Sequence, residues 1–165
     1  MLEQAIQKCA RWAARGVCKG VSVDVSAYEL RDSEFPNRLR KLLGRFLSMD
    51  PAHLKLETLE SAALSDVEVV IETMNACRAL GVGFAIDDFG IGHSSLAYLK
   101  RLPAQTLKID RSFIADILQD AGDHAIVKGI VELAKVFGLE SVAEGVECMA
   151  HLEAWVANRS VRQSR

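Results

Sequence analysis

Apolar positions along the chain follow two alternating rhythms. Leu2, Ile6, Cys9 and Ala13 recur at helical spacing, with Gly16 as a stop. Val21 to Val25 then alternates with period two and β-branched side chains, which predicts a strand. A helix over 34–47 would turn Leu39, Leu42, Leu43 and Phe46 inward. Asp50-Pro51 breaks it, and His53 to Glu57 reads as a second strand. Asp66 is placed to cap a helix with Val67, Val70, Ile71, Met74 and Cys77 on its inner face, ending at Gly81. The nearly continuous apolar run Val82 to Ile86 fits a strand covered on both sides.

The rhythm continues with a short helix over 94–102, stopped by Pro103, and a strand from Thr106 to Ile109. A helix over 123–137 would bury Ile126, Ile130, Leu133 and Phe137 before Gly138. Ser141 to Ala143 supplies a last strand and 149–157 a last helix, leaving residues 158–165 as a polar, basic tail. Short strands alternating with longer helices predict parallel βα units, hence a doubly wound sheet or part of a (β/α)8 barrel. With five clear strands in 165 residues, the chain is short for a closed eight-stranded barrel, which typically takes about 250.

Composition changes this picture little. A formal charge of -2 gives no basis for a general nucleic-acid binder. Cys9, Cys18, Cys77 and Cys148 are scattered without a C-x-x-C pair, so they read as reduced, mostly buried thiols. No apolar run approaches the roughly 20 residues of a membrane helix, and no signal-peptide pattern opens the chain, so the expected location is the cytoplasm, away from membranes. Trp12, Trp155, Phe113 and the methionines read as core or partner-facing residues, and His93 as a loop histidine.

Candidate chemistry collects at one end of every strand. Asp24 lies near the end of the first strand, Glu57 ends the second with Glu60 beyond it, and Asp87-Asp88 end the third. Lys108 and Asp110 bracket the end of the fourth, and Glu144 and Glu147 follow the fifth. In parallel βα architecture these ends open onto one face, where barrel active sites form. Any one acid there is more often a helix cap or loop carboxylate than a ligand, and Asp24, Asp88 or Asp110 alone would be read so. The same habit at five strand ends favours a metal site. Crowded carboxylates raise one another's pKa unless cations neutralise them. Mg2+ or Mn2+ accepts oxygen ligands, and a pair of such ions supports in-line displacement at phosphorus. Lys108 is placed to hold a nucleophilic water or a phosphate.

Several segments carry a family resemblance. I-D-D-F-G-I-G-H-S-S-L-A-Y-L-K-R-L-P (Ile86 to Pro103), L-K-I-D-R-S-F (Leu107 to Phe113) and V-A-E-G-V-E (Val142 to Glu147) resemble motifs of the EAL-domain family, bacterial cyclic di-GMP phosphodiesterases. L-E-T-L-E-S (Leu56 to Ser61) resembles that family's L-E-I-T-E-S, and V-D-V-S (Val23 to Ser26) its V-N-x-S. The resemblance implies a modified (β/α)8 barrel, metal ligation by Glu57, Asp87 and Asp88, and ligation by Glu144 through water. It implies that Lys108 positions the attacking water and that Glu147 is a further active-site acid. It also implies that Glu60 tethers the loop from Phe89 to Ser95, and that cyclic di-GMP is the substrate, opened to pGpG.

The departures shape the functional expectation. The E-A-L strand that names the family, whose glutamate is a direct ligand, and the final Q-G-Y strand have no counterpart, and Asp24 stands where the family has asparagine. The resulting expectation is an incomplete TIM-like (β/α) barrel of the EAL type, with about five to six parallel strands and flanking helices over residues 1–157. Two unpaired sheet edges would favour a homodimer or higher oligomer. The expected function is that of an EAL-like protein, catalytically impaired or inactive alone, that binds cyclic di-GMP or a protein. The alternatives are an active metal-dependent phosphodiesterase completed by another subunit, and a folded gene fragment without its ancestral role.

Overall fold

The computed structural model describes residues 1–17, 20–63, 66–91 and 96–160. Cys18, His93, Ser94, Ser95 and the tail from Val161 lie outside the described residues, as does the last part of the expected Phe89–Ser95 loop. The chain divides into two compact units, Met1–Ile86 with Ser94–Ala104, and Asp87–His93 with Gln105–Arg165. Five strands form one sheet in the order β1-β2-β3-β4-β5, so the α/β class and the strand count follow the sequence reading.

In the first unit, α1 (Leu2–Ala13) buries Ile6, Cys9 and Ala10, and Gly16 leaves it with a positive φ. β1 (Val21–Asp24) leads into α2 (Ala27–Arg31), a helix that the apolar rhythm does not reveal. A capping box nucleates α2: Ser26 N donates to Glu29 Oε2 at 2.9 Å, and Glu29 N donates to Ser26 Oγ at 3.3 Å. α3 (Phe35–Leu43) is shorter than the expected 34–47 and buries Phe35 and Leu39, while Leu42 and Leu43 are half-buried. A 3-10 turn at Pro51–His53 precedes β2 (Leu54–Leu59), which runs parallel to β1 with Val21 beside Leu54 and Asp24 beside Glu57. Alternation along β2 buries Leu54, Leu56 and Thr58 on one face and leaves Lys55 and Glu57 on the other.

After α4 (Glu60–Ala63), α5 (Val67–Arg78) buries Val70, Met74 and Cys77, as its periodicity predicts. Asp66 occupies the N-cap position but makes no side-chain cap bond. It sits in the left-handed region, and its carboxylate pairs with Arg31 at 3.3 Å instead. β3 (Gly83–Phe89) continues three residues past the expected end, so the aspartate pair belongs to the strand itself. Its first four residues fall in the first unit and its last three in the second. α6 (Leu96–Leu99) is a single turn that stops short of Leu102.

The second unit contains β4 (Thr106–Ile109), α7 (Arg111–Ala115), α8 (Ala121–Phe137), β5 (Glu140–Ala143) and α9 (Met149–Ser160). α8 starts at Asp120, whose carboxylate accepts from Gly122 N at 2.6 Å and Asp123 N at 3.1 Å. It ends at left-handed Gly138. Its buried face is Val127, Ile130, Val131 and Ala134, rotated from the expected Ile126, Ile130, Leu133 and Phe137; Ile126 is exposed. Small and β-branched side chains let α8 pack closely on β4 and β5, which decides between two faces of similar periodicity. Burial of each such aliphatic side chain contributes about 1.5–3 kcal/mol.

β4 and β5 run parallel, with Lys108 beside Val142 and Ile109 beside Ala143. Within α9, Trp155 and Asn158 are buried, and Asn158 Nδ2 donates to Ala154 O at 3.0 Å. Cys9 and Cys77 are buried as expected, but Cys148 is exposed because it precedes α9 in the turn leaving β5. Among the described residues no helix is long and apolar enough to cross a membrane.

Candidate metal centre

Two sets of acids lie at strand ends, one in each unit. In the first unit the β1/β2 register sets Asp24 beside Glu57, and Val25 N donates to Glu57 O at 2.8 Å to extend the pairing by one residue. Asp24 is exposed and Glu57 half-buried. Glu60 opens α4 with only 5% of its surface exposed, an unusual burial for a carboxylate.

The denser set lies in the second unit. Lys108 projects from β4 with its side chain 13% exposed, and its Nζ lies 2.9 Å from Asp87 Oδ1 and 2.6 Å from Glu144 Oε1. One ammonium thus bridges an acid within β3 and the acid that follows β5. Glu144 is fixed by its backbone, whose N–H donates to Ile109 O at 3.1 Å. Asp88 N donates to Asp87 Oδ1 at 3.0 Å, and Asp88 itself adopts φ +51. That left-handed residue within a strand turns consecutive carboxylates toward common neighbours, against the usual alternation.

Electrostatics separate the members of this set. The Asp88 carboxyl is pushed above its ordinary range by burial, then by the charges of Asp87 and Asp110, its hydrogen bond with Asp110, and the charge of Glu144. Burial also acts to raise Asp110, but hydrogen bonds from the Ser112 side chain and backbone, from Asp88, and from Arg111 N–H hold it below the ordinary range. Asp110 accepts from Ser112 N at 2.8 Å and from Ser112 Oγ, so it caps α7 while facing Asp88. Read alone in the sequence it is a helix cap, and it is that. The L-K-I-D-R-S-F match was the available signal for its second role.

Carboxylate oxygens of Asp87, Asp88 and Glu144 all come within 4.8 Å of one another. Three acids served by one lysine leave excess negative charge, and an all-oxygen donor set suits Mg2+ or Mn2+. The residues present therefore fit a divalent cation held by Asp87, Asp88 and Glu144. Glu147 is exposed and stands outside this group among the described residues.

The EAL-domain profile matches residues 1–157. The chain belongs to the EAL-domain family. This EAL domain is 42% identical over 154 residues to the bifunctional diguanylate cyclase/cyclic di-GMP phosphodiesterase MucR of Pseudomonas aeruginosa, covering 93% of this chain and 22% of the relative. It is 33% identical to the cyclic di-GMP phosphodiesterase PA2567 of the same organism, covering 94% of this chain and 27% of that protein. The chain thus spans about a quarter of the length of these curated relatives. Among solved structures, the MucR phosphodiesterase in complex with c-di-GMP superposes with a TM-score of 0.89 at 40% identity, covering 95% of this chain and 64% of that one. The EAL domain of Mycobacterium smegmatis DcpA gives 0.87 at 36% identity, covering 95% and 71%. These likenesses place the EAL domain in the TIM-like barrel class that the sequence suggests.

Proposed function

We propose that this EAL domain binds cyclic di-GMP with a divalent cation, and that its 165 residues alone hydrolyse the nucleotide weakly or not at all. The observation that carries the reading is Lys108 bridging Asp87 and Glu144 beside Asp88. Relatives named as cyclic di-GMP phosphodiesterases, and a neighbour solved with c-di-GMP, support the choice of nucleotide.

In this reading Asp87, Asp88 and Glu144 hold Mg2+ or Mn2+. The cation, when bound, neutralises phosphate charge and activates water. Lys108 exchanges part of its pairing with Asp87 and Glu144 for a water or a phosphate oxygen. Glu147 is a further active-site acid. One feature weakens hydrolysis: Asp24 adds a charge and removes an amide donor where the family has asparagine.

A second reading makes the domain an active phosphodiesterase completed by another subunit. It keeps the same acids and Lys108 as the reacting groups. Calorimetry with cyclic di-GMP, with and without Mn2+, tests the first reading. We expect metal-dependent binding that Asp87→Ala removes, with little pGpG detected by chromatography. Absence of binding sinks it. Turnover that rises steeply with protein concentration and vanishes in Asp87→Ala selects the second.

A further inference from the structure

A different surface carries charge that neither the nucleotide nor the cation reading uses. Along α1 and the turn after it, Lys8, Arg11, Trp12 and Arg15 follow one another at spacings of three, one and three, with Arg15 two residues past the end of the helix. They line a shallow hollow of about 230 Å³. Lys8 Nζ lies 5.1 Å from the centroid of the Trp12 ring, a cation–π contact that holds both side chains against the helix. Among the described residues no carboxylate pairs with Lys8, Arg11 or Arg15. The acid of α1, Glu3, is committed to Arg45 at 2.8 Å. Elsewhere in the same unit Arg31 pairs with Asp66, Arg38 with Asp32 and Arg101 with Glu68. An uncompensated cationic row in a chain of net charge -2 is a local feature rather than a consequence of composition.

We propose that this face of α1 is a docking surface for an acidic helix of a partner protein. From Lys8 to Arg15 the row spans about 10 Å along the axis at the rise of an α-helix. Carboxylates at positions i, i+3 or i+4, and i+7 of a helix lying alongside repeat over the same distance. Arg11 and Arg15 present planar guanidinium forks matched to carboxylates, and the hollow between the cations admits an acidic side chain. The neighbouring exposed positions, Gln4, Gln7 and Ala14, are polar or small. They offer no apolar anchor for a bilayer, and Trp12 is half-buried and already engaged by Lys8. A polyanionic nucleic acid fits poorly with the negative net charge. The proposal is independent of the cyclic di-GMP reading.

The test uses the whole chain and a fluorescein-labelled helical peptide with glutamates at i, i+4 and i+7, followed by anisotropy at low ionic strength. We expect saturable binding that added salt weakens. Lys8→Glu/Arg11→Glu/Arg15→Glu should lower affinity at least about tenfold, and the corresponding glutamine variant should fall between it and wild type. Reversal of three exposed cations elsewhere, Arg78, Lys100 and Lys128, should change affinity less than about twofold. Circular dichroism confirms that each variant is folded. No binding, equal losses in both triple variants, or tighter α1-dependent capture by phosphatidylserine vesicles or single-stranded DNA would overturn the assignment.

Discussion

The two acid sets at the strand ends differ in how their charge is managed. Asp24 and Glu57 stand side by side through strand register, with Asp24 open to solvent. Asp87 and Glu144 share Lys108, and Asp88 lies against Asp87, Asp110 and Glu144. Register alone puts acids next to each other, where water screens them. Bringing three partly buried carboxylates together, two of them on one lysine, takes a left-handed residue, a capping acid and a half-buried ammonium. The second set is therefore the one whose geometry has been arranged for charge.

The largest effect should come from the backbone beneath that set. Gly90 has φ +107, and a Cβ there would lie 2.9 Å from Phe113 and 3.0 Å from Ile130. Gly90→Ala combines left-handed strain with overpacking and should cost about 3 kcal/mol in urea unfolding. A loss below a few tenths of that would mean that the turn after Phe89 relaxes freely.

Next comes the lysine. Lys108→Met in metal-free buffer strands Asp87 and Glu144, and should destabilise by about 2 kcal/mol. That is less than for a fully buried pair, because the Glu144 side chain remains 30% exposed. Saturating Mg2+ should stabilise this variant more than wild type. Equal stabilisation of both would show that the cation does not replace the ammonium.

The smaller effects are in pH dependence, where two neighbouring acids should behave oppositely. The folded Asp88 carboxyl is raised, chiefly by burial and by Asp87, so its contribution is favourable below the unfolded value and is lost as pH rises through the folded one. Asp88→Asn should therefore gain on wild type as metal-free protein is taken from about pH 3 to 7. A constant offset will add to this, since asparagine tolerates the left-handed region well. Asp110 is lowered, so its contribution is present above the unfolded value and lost as pH falls through the folded one. Asp110→Asn should lose most near neutrality and converge with wild type in acid. Parallel pH profiles for the two variants would contradict the assigned pairing.

Thiol labelling gives the smallest test and moves no stability. Burial pushes the Cys77 thiol up to about 12, and Cys9 is buried in the same unit, whereas Cys148 in the other is exposed. In a Cys18→Ser background, native protein should react at Cys148 first and at the other two only on unfolding. Early labelling of Cys77 would show that the first unit opens readily.

Much of this was legible in the sequence because period-two and period-3.6 patterns survive wherever burial is strong. β4 and α5 appear where their apolar spacing puts them, and the ends of β1, β2, β3 and β5 shift by one to three residues. What the apolar pattern hid were helices made by polar chemistry, α2 by the Ser26–Glu29 box and α7 by the Asp110 cap. The buried face of α8 was hidden for another reason: Ile126 and Val127 are both apolar neighbours, and only packing chooses between them. In the centre itself the acids and Lys108 were visible as strand-end residues. Positive φ at Asp88 and the double duty of Asp110 were not, because both depend on backbone geometry that residue identity does not encode.

The most direct test of the proposed metal centre is Mn2+ binding followed by electron paramagnetic resonance in wild type, Asp87→Asn and Asp24→Asn. Asp87→Asn should weaken Mn2+ binding by about 100-fold or more, beyond the range seen for outer-shell changes, while Asp24→Asn should retain it. Equal Mn2+ affinity in wild type and Asp87→Asn would contradict that centre.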